Sequence, residues 1–520
     1  MPRRPAPVRR FMLVLVLALL PVAASLTAAR TPVATPGTAA GHEDIVPSQV
    51  DAVRRATERD LARYAMDIAV DPGAGIIGGT MAITFVNRYG EPLDDVYLRL
   101  FPNGLHYGDG GTDVSDVRVN GEPVTTALST EDTVLAVPLA EPLAPGAASM
   151  IELTFTTTVP VDSDGSYGIL SRSSGDATWA LADWHPILAG YEPAPGIGWR
   201  LDPPFDGIDP TFGDAALYDV TLDTGGLDLV STGVEIADRT GDIVRIGAGP
   251  VRDFTLVLGE GWSVTTRSVG ETTIRYATRV EDPAAIDAVL GVVVRALEGY
   301  GERFGAYPYR ELDLADVPLT SGTLGISWAS LIYLDGPSLA AQAGDRQFLD
   351  FLISHEVGHQ WWAGLVGFNS NDHTFLAEGI TNYLMTAEVE WSQGRPAAVD
   401  MIRTWVAPRY LTLLRAGGDA APDVPYPEAP AGFGDLLYGK AALGFLAIRL
   451  EIGDDAFFGA LARLASDDGF RFGIAEPADV LSAFEVMSGQ ELDALWSRWF
   501  EQAVTTPDDV EAVIVRYAAG

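Results

Sequence analysis

Two histidines four residues apart flank a glutamate in Phe351-Leu-Ile-Ser-His355-Glu356-Val-Gly-His359. On a helix, positions i and i+4 share a face one turn apart, so both imidazoles reach a single ion. Glu356 then stands beside the open position of that ion, where it takes a proton from water. A catalytic zinc centre needs a third protein ligand. One frame, a glycine at position 362 and a third histidine at position 365, fails because Trp362 and Leu365 stand there. The other takes a glutamate from a following helix, eighteen residues after the second histidine. Glu378 occupies that place, in Phe375-Leu-Ala-Glu378-Gly-Ile-Thr-Asn-Tyr383. Two neutral imidazoles and one carboxylate suit zinc, one ion per chain, with the fourth position left for water.

The rest of the composition narrows the chemistry. Cysteine is absent, which removes disulfides, thiolate zinc sites, thiol nucleophiles and lipidated cysteine. Any metal is therefore held by carboxylates and some of six histidines. Of these, His373 lies between the two ligand segments and reads as a loop or supporting residue, since the other three already complete a set. The 71 acidic residues outnumber 34 basic ones, giving a net charge of −37. That balance argues against nucleic acid and anionic lipid as partners, because phosphate binding needs clustered cations.

The elements that must carry the ligands follow from periodicity. Arg3, Arg4, Arg9 and Arg10 precede the apolar run Phe11 to Leu20, so residues 1–29 read as a signal peptide or an uncleaved anchor. Localisation outside the cytoplasm, secreted or at the cell surface, follows from that reading. Residues 30–47 read as a Pro/Thr/Ala/Gly linker, and 48–64 as a short amphipathic helix. Alternation in Met81-Ala-Ile-Thr-Phe-Val and Val96-Tyr-Leu-Arg-Leu, with turn signals such as Asn120-Gly121, makes 48–262 a β domain. After residue 280 the period becomes helical: Asp282-Pro283 opens a run with Ile286, Val289, Val293, Leu297 and Tyr300 on one face. Strand-like segments return at 311–334, and helices then dominate. The expected order is a β domain, an α/β catalytic domain over 263–400 and a helical lobe over 401–520.

With these residues in view, the chain resembles the aminopeptidase N-like gluzincins, the membrane alanyl aminopeptidase family, over about 64–503. The resemblance rests on the histidine–glutamate frame, on His359-Gln-Trp-Trp and Glu378-Gly-Ile, on Tyr307-Pro308-Tyr309, and on Ser488-Gly489 with Trp496 and Trp499. It implies an N-terminal antiparallel β saddle, then a thermolysin-like α/β domain completed by a helical C-terminal lobe. It also implies a tyrosine in a Y-x-K-G motif some sixty residues past the glutamate ligand. Leu437-Tyr438-Gly439-Lys440-Ala441 fits, with alanine in the last place. The resemblance gives Tyr438 the role of donating a hydrogen bond to the oxyanion of the tetrahedral intermediate.

One departure bears on specificity. The family anchors a substrate's free amino group with a glutamate in a G-x-M-E-N strand. Here the matching stretch runs Gly322-Thr-Leu-Gly325-Ile326-Ser327-Trp328-Ala-Ser-Leu-Ile-Tyr333, and no acid occurs between Asp316 and Asp335. One alignment puts Trp328 at the glutamate position; another puts Ser327 there. Gly325, Ser327 and Trp328 are thus the candidate substrate-binding residues. Weak discrimination between free and blocked N-termini is expected unless an acid enters from the β domain, with Asp176, Asp183 and Glu192 the candidates. The helical solenoid that covers the cleft in many family members has no counterpart here, so a more open site is expected. The leading expectation is a zinc peptidase acting on peptides or proteins. Its rivals are an endopeptidase or a peptidase for blocked N-termini, an epoxide hydrolase, and a non-catalytic cell-surface binding protein.

Overall fold

The long strands of the N-terminal half show why an alternating sequence becomes a sheet with one wet face. In Ala148–Thr158, Ile151, Leu153 and Phe155 are buried while the residues between them are not, the period of two that places successive side chains on opposite faces. The computed structural model describes residues 42–57, 60–175, 177–193, 197–207 and 212–520. The proposed signal segment, 1–29, lies outside the described residues. Among the described residues no helix is long and apolar enough to cross a membrane.

Eight strands form the principal sheet of the β region, in the order Val234–Glu235, Ile243–Val251, Ala216–Asp223, Ala62–Asp71, Ile76–Val86, Ala148–Thr158, Gly111–Val119, Glu122–Pro123. All neighbours in it are antiparallel except Ala62–Asp71 with Ala216–Asp223. That parallel pair is the exception in a sheet otherwise antiparallel, as expected of the saddle. It forms because the chain, after building two smaller sheets, returns alongside its own first strand, and a parallel neighbour needs a long connection of that kind.

The expected helix over 48–64 is shorter, Val50–Ala56, because Tyr64 already pairs in the first strand. The end of the expected linker is not free either. Ile45 bridges Tyr309, the Arg310 amide donates to the Asp44 carbonyl at 2.6 Å, and the Asp44 carboxylate accepts from the Gly249 amide. Residues 44–46 are buried between the β region and the Tyr307-Pro-Tyr309 segment.

The catalytic half is built on a five-stranded sheet in the order Ser263–Val269, Thr272–Thr278, Glu311–Asp316, Leu331–Leu334, Gly325–Trp328. Its three central strands are parallel, and Gly325–Trp328 is an antiparallel edge. Helix Pro283–Phe304 starts where Asp282 caps the Ala284 amide at 3.0 Å. Its buried face contains all five residues of the expected stripe. The C-terminal part is helical, so a sheet-rich N-terminal region leads into a helical C-terminal one, and one apolar core runs through both.

Candidate metal centre and active site

Two helices bring the ligands together. Arg346–Gly358 begins under an Asp345 cap, whose carboxylate accepts from the Phe348 amide at 3.1 Å, and ends at His359. Asn369 caps Ser370–Gln393, which carries Glu378. The turn between them is anchored by Trp361 and Trp362, both fully buried. His355 Nε2 and His359 Nε2 come to 3.0 Å of each other, and Glu378 Oε2 lies 3.3 Å from the first and 3.7 Å from the second. Among the described residues, His355, His359 and Glu378 form the group able to hold a metal ion.

The donor chemistry fits such an ion. His359 Nδ1 donates to the Trp362 carbonyl at 3.0 Å, which leaves the lone pair on Nε2. Glu378 Oε2 is buried, with the two imidazole nitrogens facing it. Two imidazole lone pairs and a carboxylate oxygen crowded together form a set of acceptors that a cation holds. The cluster favours positive charge, so a proton competes with an ion for the His359 lone pair. Burial works against charge on His359, yet Glu378 beside it pushes its pKa up to about 9. Burial likewise opposes a charged Glu378, and His359 with His355 outweighs it, holding that carboxyl below the usual range.

Glu356 sits on the same helix, 4% exposed, and burial pushes its carboxyl up to about 8. It is met by the edge strand: a Cβ on Gly325 would lie 2.9 Å from Glu356 Cγ and Oε1, so the strand approaches only because residue 325 has no side chain. Tyr438 comes from the helical lobe, in the π-helical turn Leu436–Ala441, with its ring 5.8 Å from that of His355. Burial, and next the Glu378 charge, raises its phenol well above the ordinary value and keeps it a hydrogen-bond donor.

The two residues offered by the alternative alignments of the edge strand have different neighbours. Ser327 faces the zinc helix: its Oγ accepts from Gln360 Nε2 at 2.7 Å. Trp328 packs its ring against Tyr333 at 4.4 Å in a smaller core and also borders the cavity beside His359. Alternation along the strand causes this, since Gly325 and Ser327 share one face and Trp328 belongs to the other. Gln360 went unremarked in sequence. Its Oε1 accepts from Tyr307 and from the Ser330 amide, both at 2.9 Å, and its Nε2 also donates to the Trp328 carbonyl at 2.8 Å. Two of these four hydrogen bonds, to Ser327 and Trp328, fasten the edge strand to the end of the helix that carries the histidines, and the other two hold Tyr307 and the turn at Ser330.

A cavity opens beside His359 and Ser327, with Arg252, Asp253 and Phe368 in its wall. Arg252 spends its guanidinium on the carbonyls of Gly213, Ala363 and Gly473. Asp253, in the connection after strand Ile243–Val251, is the acid that the β region brings to this cavity among the described residues. Of the acids expected there, Asp176 lies outside the described residues. Asp183 is buried without lining the cavity, and Glu192 pairs with Arg200 at 3.2 Å. No spacing in the sequence marks Asp253. His373 is not a ligand; its Nδ1 meets Asp423 at 2.6 Å where its backbone interrupts the helix.

Residues 289–499 match the peptidase family M1 domain. Aminopeptidase N of Lactobacillus delbrueckii subsp. lactis is 25% identical over 53% of this chain and 33% of its own length. Aminopeptidase M1-A of Oryza sativa subsp. japonica is 22% identical over 79% of this chain and 46% of its own. The chain thus spans less than half the length of these curated relatives. The fold is similar to the crystal structure of an M1 zinc metallopeptidase from Deinococcus radiodurans, at TM-score 0.58 and 20% identity, covering 86% of this chain and 94% of that one. A mutant of that protein bound to a Tyr-Ser-Ala substrate gives a TM-score of 0.60 at 20% identity, over 86% and 95% of the two chains.

Proposed function

From a peptidase family M1 domain of the aminopeptidase N-like, gluzincin kind, we infer that this chain is a zinc metallopeptidase that hydrolyses peptide bonds outside the cytoplasm. The observation that carries the reading is the convergence of His355 Nε2, His359 Nε2 and Glu378 Oε2, with Glu356 and Tyr438 beside them. Zinc, the ion the family implies, supplies Lewis acidity there and lowers the pKa of water. Glu356 takes the proton of the attacking water and returns it to the leaving amine. Tyr438 donates its O–H to the oxygen on which negative charge develops. Location outside the cytoplasm rests on the arginine-then-apolar start of the sequence.

A second reading, cleavage of internal or N-blocked peptides, is favoured by one feature: the edge strand and its flanks hold no acid between Asp316 and Asp335, where the resemblance leads one to expect an anchoring glutamate. A non-catalytic binding role is disfavoured, since all five groups needed for turnover are present. The deciding experiment measures zinc in the purified protein, then offers matched free and N-acetylated peptides with and without a chelator and identifies cleaved bonds by mass spectrometry. About one zinc per chain and chelator-sensitive cleavage are expected. Full activity after verified metal removal would overturn the reading.

A further inference from the structure

The oxyanion donor sits in an irregular piece of backbone, and something must fix it. Leu436–Ala441 is a π-helical turn, wider than the α-helix that follows, and such turns recur at functional sites. The turn lies flat on the helix that carries Glu378. A Cβ on Gly379, the next residue after that ligand, would stand 2.7 Å from Ala441 Cβ. From the opposite side Lys440, its side chain wholly buried, donates to Asp419 and the Ala420 carbonyl at 2.8 Å and to the Gln502 carbonyl at 2.6 Å. These contacts hold the turn, but none of them touches Tyr438.

Asn382 does. It lies four residues after Glu378 on the same helix, one turn along the same face. Its side chain is completely buried, and its Nδ2 donates to the carbonyl oxygen of Tyr438. A carbonyl has a second lone pair to give. The other end of the amide, Oδ1, is buried with no hydrogen-bond partner in the protein, so the contact to Tyr438 is the one its side chain makes. We propose that Asn382 is a positioning residue: it ties Tyr438 to the helix bearing Glu378 and so fixes the phenol's distance from the metal ligands. The inference rests on the reading of this chain as a zinc peptidase with Tyr438 as its oxyanion donor.

The test is a double-mutant cycle of Asn382→Leu and Tyr438→Phe, read as kcat, KM and zinc content. Asn382→Leu should lower kcat by about tenfold or more with KM nearly unchanged, because the interaction it supports forms in the transition state. In the Tyr438→Phe background the same substitution should change kcat by less than about twofold, since acting through one group makes the losses non-additive. Zinc should stay at one per chain throughout. A readout independent of turnover is affinity for a phosphinic peptide, a tetrahedral mimic, in the Glu356→Gln background. Asn382→Leu should weaken it about tenfold while the affinity for a substrate peptide holds. Should Asn382→Leu fail to fold, Asn382→Ala also removes the donor, adds no charge and carries the same expectations. Equal losses in both backgrounds, or loss of zinc together with activity, overturn the proposal alone. A parent protein without zinc-dependent turnover overturns the peptidase reading as well.

Discussion

The metal half and the substrate half of this site are built on different principles. His355, Glu356 and His359 are neighbours because a helix repeats every 3.6 residues, and Glu378 joins them from the next helix. Ser327 and Asp253 border one cavity, and Gly325 meets Glu356, only because an edge strand and a connection from the β region pack there. The first half is local geometry with one long-range contact; the second is tertiary throughout. Substitutions in the metal half should therefore abolish chemistry, and those in the substrate half should redirect or blunt it.

The largest effects should come from the metal half, and they should divide by role. His355→Ala, His359→Ala and Glu378→Ala are expected to lose zinc and activity together. Glu356→Gln should keep zinc and lose turnover by several orders of magnitude, because it removes proton transfer and not a ligand. Metal analysis beside kcat checks this. Zinc loss in Glu356→Gln as complete as in the histidine variants would sink the assignment of Glu356 as base. Next is Tyr438→Phe, expected to lower kcat by roughly 10²–10³, the usual consequence of losing one oxyanion donor. KM should move little, and an unaltered kcat would return Tyr438 to the core.

This division also marks what could be read from the sequence. The order of sheet-rich then helical regions followed from periods of two and 3.6, and Asp282-Pro283 announced its helix correctly. The ligand set was legible because its spacing is local. The different neighbours of Ser327 and Trp328 were not, because a short strand does not show in its sequence that one residue meets Gln360 and the next meets Tyr333. Asp253 was illegible for a stronger reason: nothing near residue 253 in sequence belongs to the site, and only the packing of the β region brings it in. The parallel pair between Ala62–Asp71 and Ala216–Asp223 is of the same kind, set by a return of the chain over a long distance.

A third substitution probes the seam between the halves. Gly325→Ala adds a Cβ that would stand 2.9 Å from Glu356 Cγ, so either the strand or the base must shift. Zinc should remain, while kcat falls roughly tenfold to a hundredfold, in line with the rate penalty of a misplaced catalytic group. Unchanged kinetics would mean that the edge strand yields instead, and that the base is set by its own helix alone.

The smallest expected effect lies wholly in the substrate half. An ammonium held by a desolvated carboxylate contributes several kcal/mol, so a peptidase with that anchor prefers free over acetylated N-termini by orders of magnitude. Here the edge strand presents Ser327, already committed to Gln360, and Asp253 is the acid in the cavity wall. Free and acetylated forms of one peptide should therefore differ in kcat/KM by no more than about tenfold, or ~1.4 kcal/mol, with some internal cleavage. Asp253→Asn should leave that ratio nearly unchanged. A preference for the free amine above about a hundredfold, ~2.7 kcal/mol, would defeat the expectation. If Asp253→Asn then erased the preference, the anchor would have moved from the edge strand to the β region, and the substrate half would be as exacting as the metal half.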